Sequence, residues 1–398
     1  MRRLLIPAIG AAIALAAPLQ AAEMQQRLDS LLDKAVDNGP IVGTVVMVAE
    51  KGQIVYHRAA GFSDRETRQP MREDTIFRFA SLTKPIVTVA ALSLIQEGKL
   101  SPDDPVTRYI PDFRPRLADG QEAVITVRQL MTHTAGLSYR FAEPKDGPHD
   151  RANVSDGLDQ PGLPIEENLR RIASVPLSYK PGESWGYSVA TDVLGEVVAR
   201  AGGAPLPDVV HRRVTEPLGM ANTAFTVTGP ERLAAPYADG TPPMRMRAQY
   251  ELPYGQGVIR FAPSRVFDPV SFPSGGAGMT GTAEDYVTFL EALRKGGSPV
   301  LNEASARSLA TEAVANLPQG ALDPGWGFGL GVAVLRDPAA TGTPQSAGTW
   351  AWGGVYGHSW FVDPARELVV VIMTNTAVAG MTGAFPNSVR DAVYGKAP

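Results

Sequence analysis

Strand-forming runs lie at both ends of this 398-residue chain, with a long helical stretch between them. Residues 41–49 and 54–60 are rich in β-branched side chains and meet at Lys51-Gly52, the composition of a tight hairpin turn. A shorter run covers 75–78. The pattern returns at 327–335, 349–352, 359–362 and 368–373. Helical spacing or helix-start signals mark 24–36, 126–131, 166–173, 191–201, 282–293 and 387–394. In the fifth of these Thr282 opens the helix and Asp285 offers a capping-box-like partner. Strands so far apart in sequence bury their faces by pairing with one another. The expected fold is therefore α+β: an antiparallel sheet from both termini, flanked by helices, with an inserted mainly helical subdomain. Residues 23–80 and 326–398 are assigned to the sheet part and 81–325 to the insert. A ligand would bind in the cleft between them. Residues 139–164 and 235–279, rich in Pro and Gly, read as long loops that act as lids or pocket walls.

Residues 1–22 read as a secretory leader. Arg2 and Arg3 precede an apolar stretch over 4–17, and small residues follow at Ala21 and Ala22. The expected location is the periplasm or the exterior. No later segment is long and apolar enough to insert stably in a membrane. Net charge is −4, which gives no reason to expect nucleic acid as a partner. The chain has no cysteine, hence no disulfide and no thiolate metal site. The histidines (His57, His133, His149, His211, His358) lack metal-ligand spacing, so no metal or other cofactor is expected. His133 and His358 read as satisfied structural or pocket residues.

Ser81-Leu82-Thr83-Lys84 is the only Ser-x-x-Lys in the chain, and Pro85 follows it. Proline is tolerated in the first turn of a helix, and the apolar run after it ends at Gly98. Positions i and i+3 share a helix face, which sets the Lys84 amine beside the Ser81 hydroxyl. The helix start adds free N–H donors. The plainer alternative is a Ser81 N-cap with Lys84 in solvent.

Two later segments could complete a reactive site. Tyr187, in Gly186-Tyr187-Ser188, precedes a helix, and a phenol beside a lysine can shuttle protons. Trp352-Gly353-Gly354 ends a predicted strand, where paired glycines let a substrate approach the backbone and Val355 could offer an N–H opposite that of Ser81. A core tyrosine and an ordinary turn are the alternatives. Gly186-x-Ser188-x-Ala190 and Gly357-His358-Ser359 are near misses to a Gly-x-Ser-x-Gly nucleophile elbow, and neither sits on a clear strand–turn–helix.

Taken together, Ser81-x-x-Lys84, Tyr187-Ser188 and Trp352-Gly353-Gly354 resemble the three-part signature of the family VIII bacterial carboxylesterases. These share the fold of serine β-lactamases and penicillin-binding proteins and are similar to class C β-lactamases. Leu130-Met131-Thr132-His133-Thr134-Ala135-Gly136-Leu137, Glu216-Pro217-Leu218-Gly219-Met220 and 352–361 also match, so the resemblance runs from Met24 to the C-terminus. It implies Ser81 as nucleophile, Lys84 and Tyr187 as a joint base, and the N–H groups of Ser81 and Val355 as oxyanion donors. Trp352, Gly353, Gly354 and His358 would then line the substrate site. Two departures from the β-lactamase pattern matter: Val189 stands where those enzymes carry Asn, and Trp352 where they carry Lys. Both favour a small-molecule ester of short to medium acyl chain over a penicillin. A β-lactamase or D,D-peptidase, an acyltransferase or amidase, and a non-catalytic penicilloyl-binding module are the alternatives. Nothing in the sequence fixes the oligomeric state.

Overall fold

The computed structural model describes residues 10–37, 39–318 and 322–396. The start of the expected leader, with its arginine pair, lies outside them. From Gly10 the backbone forms one helix, α1 (Gly10–Asp37). No helix among the described residues is long and apolar enough to cross a membrane.

The two ends of the chain build one eight-stranded sheet. Its strands are β1 (Gly43–Glu50), β2 (Gln53–Asp64), β3 (Gln69–Pro70), β4 (Trp326–Phe328), β5 (Ala333–Leu335), β6 (Trp350–Gly354), β7 (His358–Asp363) and β8 (Leu368–Thr374). Their order is β4-β5-β6-β7-β8-β1-β2-β3, and every neighbouring pair is antiparallel. The join between the two ends is β1 against β8, in register from Thr44↔Thr374 to Glu50↔Leu368. Lys51 and Gly52 both have positive φ (51° and 79°), which closes the β1–β2 hairpin as expected.

Alternation along these strands decides which layer covers each face. Val46, Val48, Val370 and Ile372 pack with Leu28 and Leu32 of α1 and with Phe385 and Val389 of a C-terminal helix (Ala384–Val393). Val45, Met47, Val369 and Val371 face the inserted helices instead. Among these is α2 (Thr83–Gln96), buried at every position from Thr83 to Leu94. A helix apolar all round belongs in an interior, and this one anchors the residues at its start.

Three local expectations change. The run 327–335 is not one strand: the chain turns at Gly331 (φ 81°), so β4 and β5 form a hairpin. The stretch 235–279 is not a plain loop. It holds an antiparallel hairpin, Tyr250–Tyr254 with Gly257–Phe261, and Tyr237–Ala238 pairs in parallel with Thr376–Ala377. Asp285 does not complete a capping box. Thr282 Oγ1 accepts from the Asp285 N–H, but the Asp285 carboxylate accepts from the Asn222 N–H and the Thr223 hydroxyl. The reciprocal box forms instead at Thr126 and Gln129.

Candidate active site

Ser81 lies in a one-turn 3-10 segment, Ala80–Leu82, that runs directly into α2. Ala80, just before it, is held at φ 47°. Non-glycine residues avoid this region, and such strain concentrates at functional positions. Surrounding contacts over-determine the turn: the Tyr286 hydroxyl donates to Leu82 O (3.1 Å) and the Met279 N–H donates to Thr83 Oγ1 (3.1 Å).

The three expected reactive side chains meet at the Ser81 hydroxyl. Lys84 Nζ donates to Ser81 Oγ at 3.0 Å, and the Tyr187 hydroxyl donates to the same oxygen at 2.6 Å. Lys84 is 1% exposed, so the solvent-facing alternative does not hold. Its Nζ also donates to Gly276 O (2.8 Å) and lies 4.8 Å from the Tyr187 ring centre and 5.3 Å from that of Tyr139. Tyr187 stands in an aromatic box of His133, Tyr139 and Trp352, with ring centres 4.9, 5.0 and 5.2 Å away.

β6 brings the other wall. Gly354 packs against the backbone just ahead of Ser81, and a Cβ there would sit 2.3 Å from Phe79 O. Glycine is therefore needed for the strand end to approach the serine turn. At Gly353 a Cβ would meet Met381 Cγ at 2.7 Å. Val355 follows, buried, in one apolar cluster with Ala80. Neither the Ser81 nor the Val355 N–H donates to an acceptor among the described residues. Two unpaired backbone donors beside one hydroxyl suit an incoming oxygen atom.

Sequence reasoning missed the support beneath Lys84. Asp192, in the first turn of a helix over Ala190–Gly202, is 1% exposed. Its Oδ1 accepts from the Ser274 hydroxyl (2.5 Å) and the Gly276 N–H (3.2 Å). The residue whose carbonyl accepts from Lys84 is thus held through its own N–H. Burial pushes the Asp192 carboxyl up from its usual range, while Ser274 and the Lys84 charge pull it back. Gly276 has no room for a side chain, since a Cβ would lie 2.7 Å from Asp192 Oδ2. The Ser-Gly-Gly-Ala-Gly run over 274–278 was the available signal. Tyr139 was missed too; it is buried and stacked on Phe141.

His358 is corrected. It does not line the substrate site: it is buried, its Nδ1 accepts from the Thr374 N–H (3.3 Å), and its Nε2 lies 2.7 Å from Arg78 O. The first contact requires an unprotonated Nδ1, so the proton sits on Nε2 and is donated to the carbonyl. His358 fastens β7 and β8 to the segment leading into Ser81. Burial lowers its pKa to about 4. The unfolded ring binds a proton near pH 6.5, so its stabilising contribution is complete above that pH and is lost as pH falls towards 4. Between pH 6.5 and 5 the loss is roughly 2 kcal/mol, at about 1.4 kcal/mol per unit. Denaturant unfolding of wild type and His358→Gln at both pH values checks this; an equal pH slope in the two proteins refutes it. His133 is also buried, and burial followed by the Lys84 charge holds its pKa well below the usual value. Its Nδ1 accepts from the Ser188 N–H (3.3 Å), and Ser188 is itself sealed in the interior, which removes it as a rival nucleophile.

Comparison with known proteins agrees with this geometry. The Beta-lactamase family model matches residues 28–392. Esterase EstB of Burkholderia gladioli is 51% identical over 382 residues, covering 95% of this chain and 97% of the relative. The solved structure of EstCE1, described as a hydrolase with promiscuous acyltransferase activity, superposes with a TM-score of 0.89 at 42% identity, over 94% of this chain and 100% of that one. A penicillin-binding protein homologue from Pyrococcus abyssi shares the fold at 19% identity, with a TM-score of 0.68 over 96% of this chain and 78% of that one. With the family model spanning nearly the whole chain and a relative this similar at full length, the chain belongs to the Beta-lactamase family, on its family VIII branch.

Proposed function

We propose that this protein is a carboxylesterase that works through an acyl-enzyme on Ser81. The observation that carries this reading is the Ser81 hydroxyl held at hydrogen-bond distance from both Lys84 and Tyr187 in a largely buried crevice. Ser81 Oγ attacks the ester carbonyl carbon, and its proton passes to the Lys84–Tyr187 pair, which in the reactive state holds one proton fewer than an ammonium plus a phenol. The carbonyl oxygen, now negative, takes hydrogen bonds from the Ser81 and Val355 N–H groups. The C–O bond to the alcohol breaks, and the pair returns the proton to the departing oxygen. Water then attacks the acyl-serine, gives a proton to the same pair, and the acid leaves with the Ser81 hydroxyl restored. Lys84 and Tyr187 are treated as one unit because each touches the other's proton acceptor.

The crevice wall supports an uncharged ester over a β-lactam. Val189 is fully buried and presents no amide to a ligand. Trp352 is half-buried, edge-on to Tyr187 and Phe328, and offers an apolar surface where a carboxylate-binding cation would be needed. The expected result is a kcat/KM for p-nitrophenyl butyrate at least about 10³-fold above that for nitrocefin, equivalent to about 4 kcal/mol in transition-state binding. Comparable or faster nitrocefin turnover would reverse the assignment.

A further inference from the structure

A second cavity, about 120 Å³, shares no lining residue with the Ser81, Lys84 and Tyr187 cluster. One water needs about 10–15 Å³ on that measure, so a small molecule fits. Arg78, Arg265 and Tyr356 line it. Arg78 donates through Nε to Pro263 O (3.0 Å) and through Nη1 to Ala234 O (2.8 Å). Arg265 donates through Nε to Asp159 O (3.1 Å) and through Nη2 to Phe272 O (2.7 Å). These are backbone carbonyls, which use hydrogen bonds but leave the charge unbalanced. Neither guanidinium forms an ion pair among the described residues, although Arg265 is only 9% exposed. Arg78 Nη2, Arg265 Nη1 and the Tyr356 hydroxyl have no hydrogen-bond partner among the described residues, and all three residues line the cavity.

Asp268 is the only carboxylate among the described residues lining the cavity, and it accepts from the Val270 N–H (2.9 Å) and the Ser271 hydroxyl (3.0 Å). The wall therefore carries two cations against one carboxylate; Arg265 also feels the Asp192 and Asp159 charges from beyond the wall, whereas burial of Arg78 is opposed only by Tyr356. A buried cation without a counter-charge is costly, and Arg78 kept so beside a second guanidinium and a free phenol is the arrangement an anion would satisfy. Guanidinium groups match the planar fork of carboxylate and phosphate oxygens.

We propose that this cavity is a binding site for a small oxyanion, held by Arg78 Nη2, Arg265 Nη1 and the Tyr356 hydroxyl. The site does not depend on the ester-hydrolase reading. Two sources offer the same chemistry, a short-chain carboxylate and inorganic phosphate. Isothermal titration of the full chain at fixed ionic strength, with chloride as the balancing anion, separates them: butyrate in one arm, inorganic phosphate in the other. Saturable one-to-one binding of at least one anion is expected, and the arm that saturates names the source. Arg265→Lys should weaken it about tenfold or more, because the fork is lost. Tyr356→Phe should weaken it about fivefold, as one hydrogen bond to a charged group is lost. Since Tyr356→Phe breaks no internal hydrogen bond, it carries the test alone if Arg265→Lys fails to fold. Trp352→Ala, in the crevice wall, should leave the binding constant unchanged, which excludes occupancy of the catalytic crevice. Absence of saturable heat for either anion up to about 20 mM overturns the proposal. So does unchanged affinity in Tyr356→Phe, or loss of binding in Trp352→Ala.

Discussion

Ser81→Ala is expected to lower kcat/KM for p-nitrophenyl butyrate by roughly 10⁴-fold or more. The variant keeps the crevice, both proposed oxyanion donors and the Lys84–Tyr187 pair, so a residual rate above that of water alone remains. What it loses is the only hydroxyl among the described residues reached by both proton carriers. No neighbouring serine can substitute, since Ser188 is sealed behind His133 and Ser274 donates to Asp192. The fold should survive. Ser81 contributes two hydrogen bonds as acceptor, each worth about 0.5–1.5 kcal/mol net, which is small beside the stability of a folded domain. Circular dichroism melting beside steady-state kinetics separates a dead enzyme from an unfolded one. A folded Ser81→Ala protein retaining more than a tenth of the activity would end the acyl-serine mechanism.

Lys84→Ala and Tyr187→Phe should each reduce kcat by about 10²–10⁴-fold, the range of a lost general base. The double variant should be little worse than the poorer single one, because the two act on one proton. Their effects on stability should differ. Tyr187→Phe removes one oxygen and leaves the ring in its aromatic box, so the melting temperature should barely move. Lys84→Ala strips the Gly276 carbonyl of its buried donor, at a cost of about 1–3 kcal/mol. It also takes away a positive charge that holds down the Asp192 carboxyl. Additive losses in the double variant, or near-full activity in Tyr187→Phe, would show that the residues do not work as one unit.

The parts of this site that could be read from the chain are those whose chemistry travels with residue type. Ser81 and Lys84 are three apart on a helix, so their meeting is local and follows from helical geometry. The α+β organisation was equally readable, because strand runs at both ends leave few ways to bury their faces. What could not be read lies in long-range backbone contacts. The acceptor for Lys84 is the carbonyl of Gly276, 192 residues away, and a carbonyl is present at every position. Nothing in the sequence separates Asp192 from any acidic residue in a helix's first turn; its burial against Gly276 is a tertiary fact. His358 sits beside the right glycines but faces the other way. The hairpin over Tyr250–Tyr254 was hidden by Pro253, which a sequence reading takes as a break although an edge strand tolerates it.

The pairing of β1 with β8 also has a consequence during synthesis. Thr44 waits for Thr374, so a nascent chain emerging from the ribosome has Ser81 and Lys84 long before it has the strand that completes the sheet. The wall carrying Val355 arrives equally late. Until then the growing polypeptide holds an unpaired, mostly apolar β1 edge and depends on protection from self-association. Reactivity and the burial of that edge thus arrive in a single late event, and a prematurely terminated product would have neither.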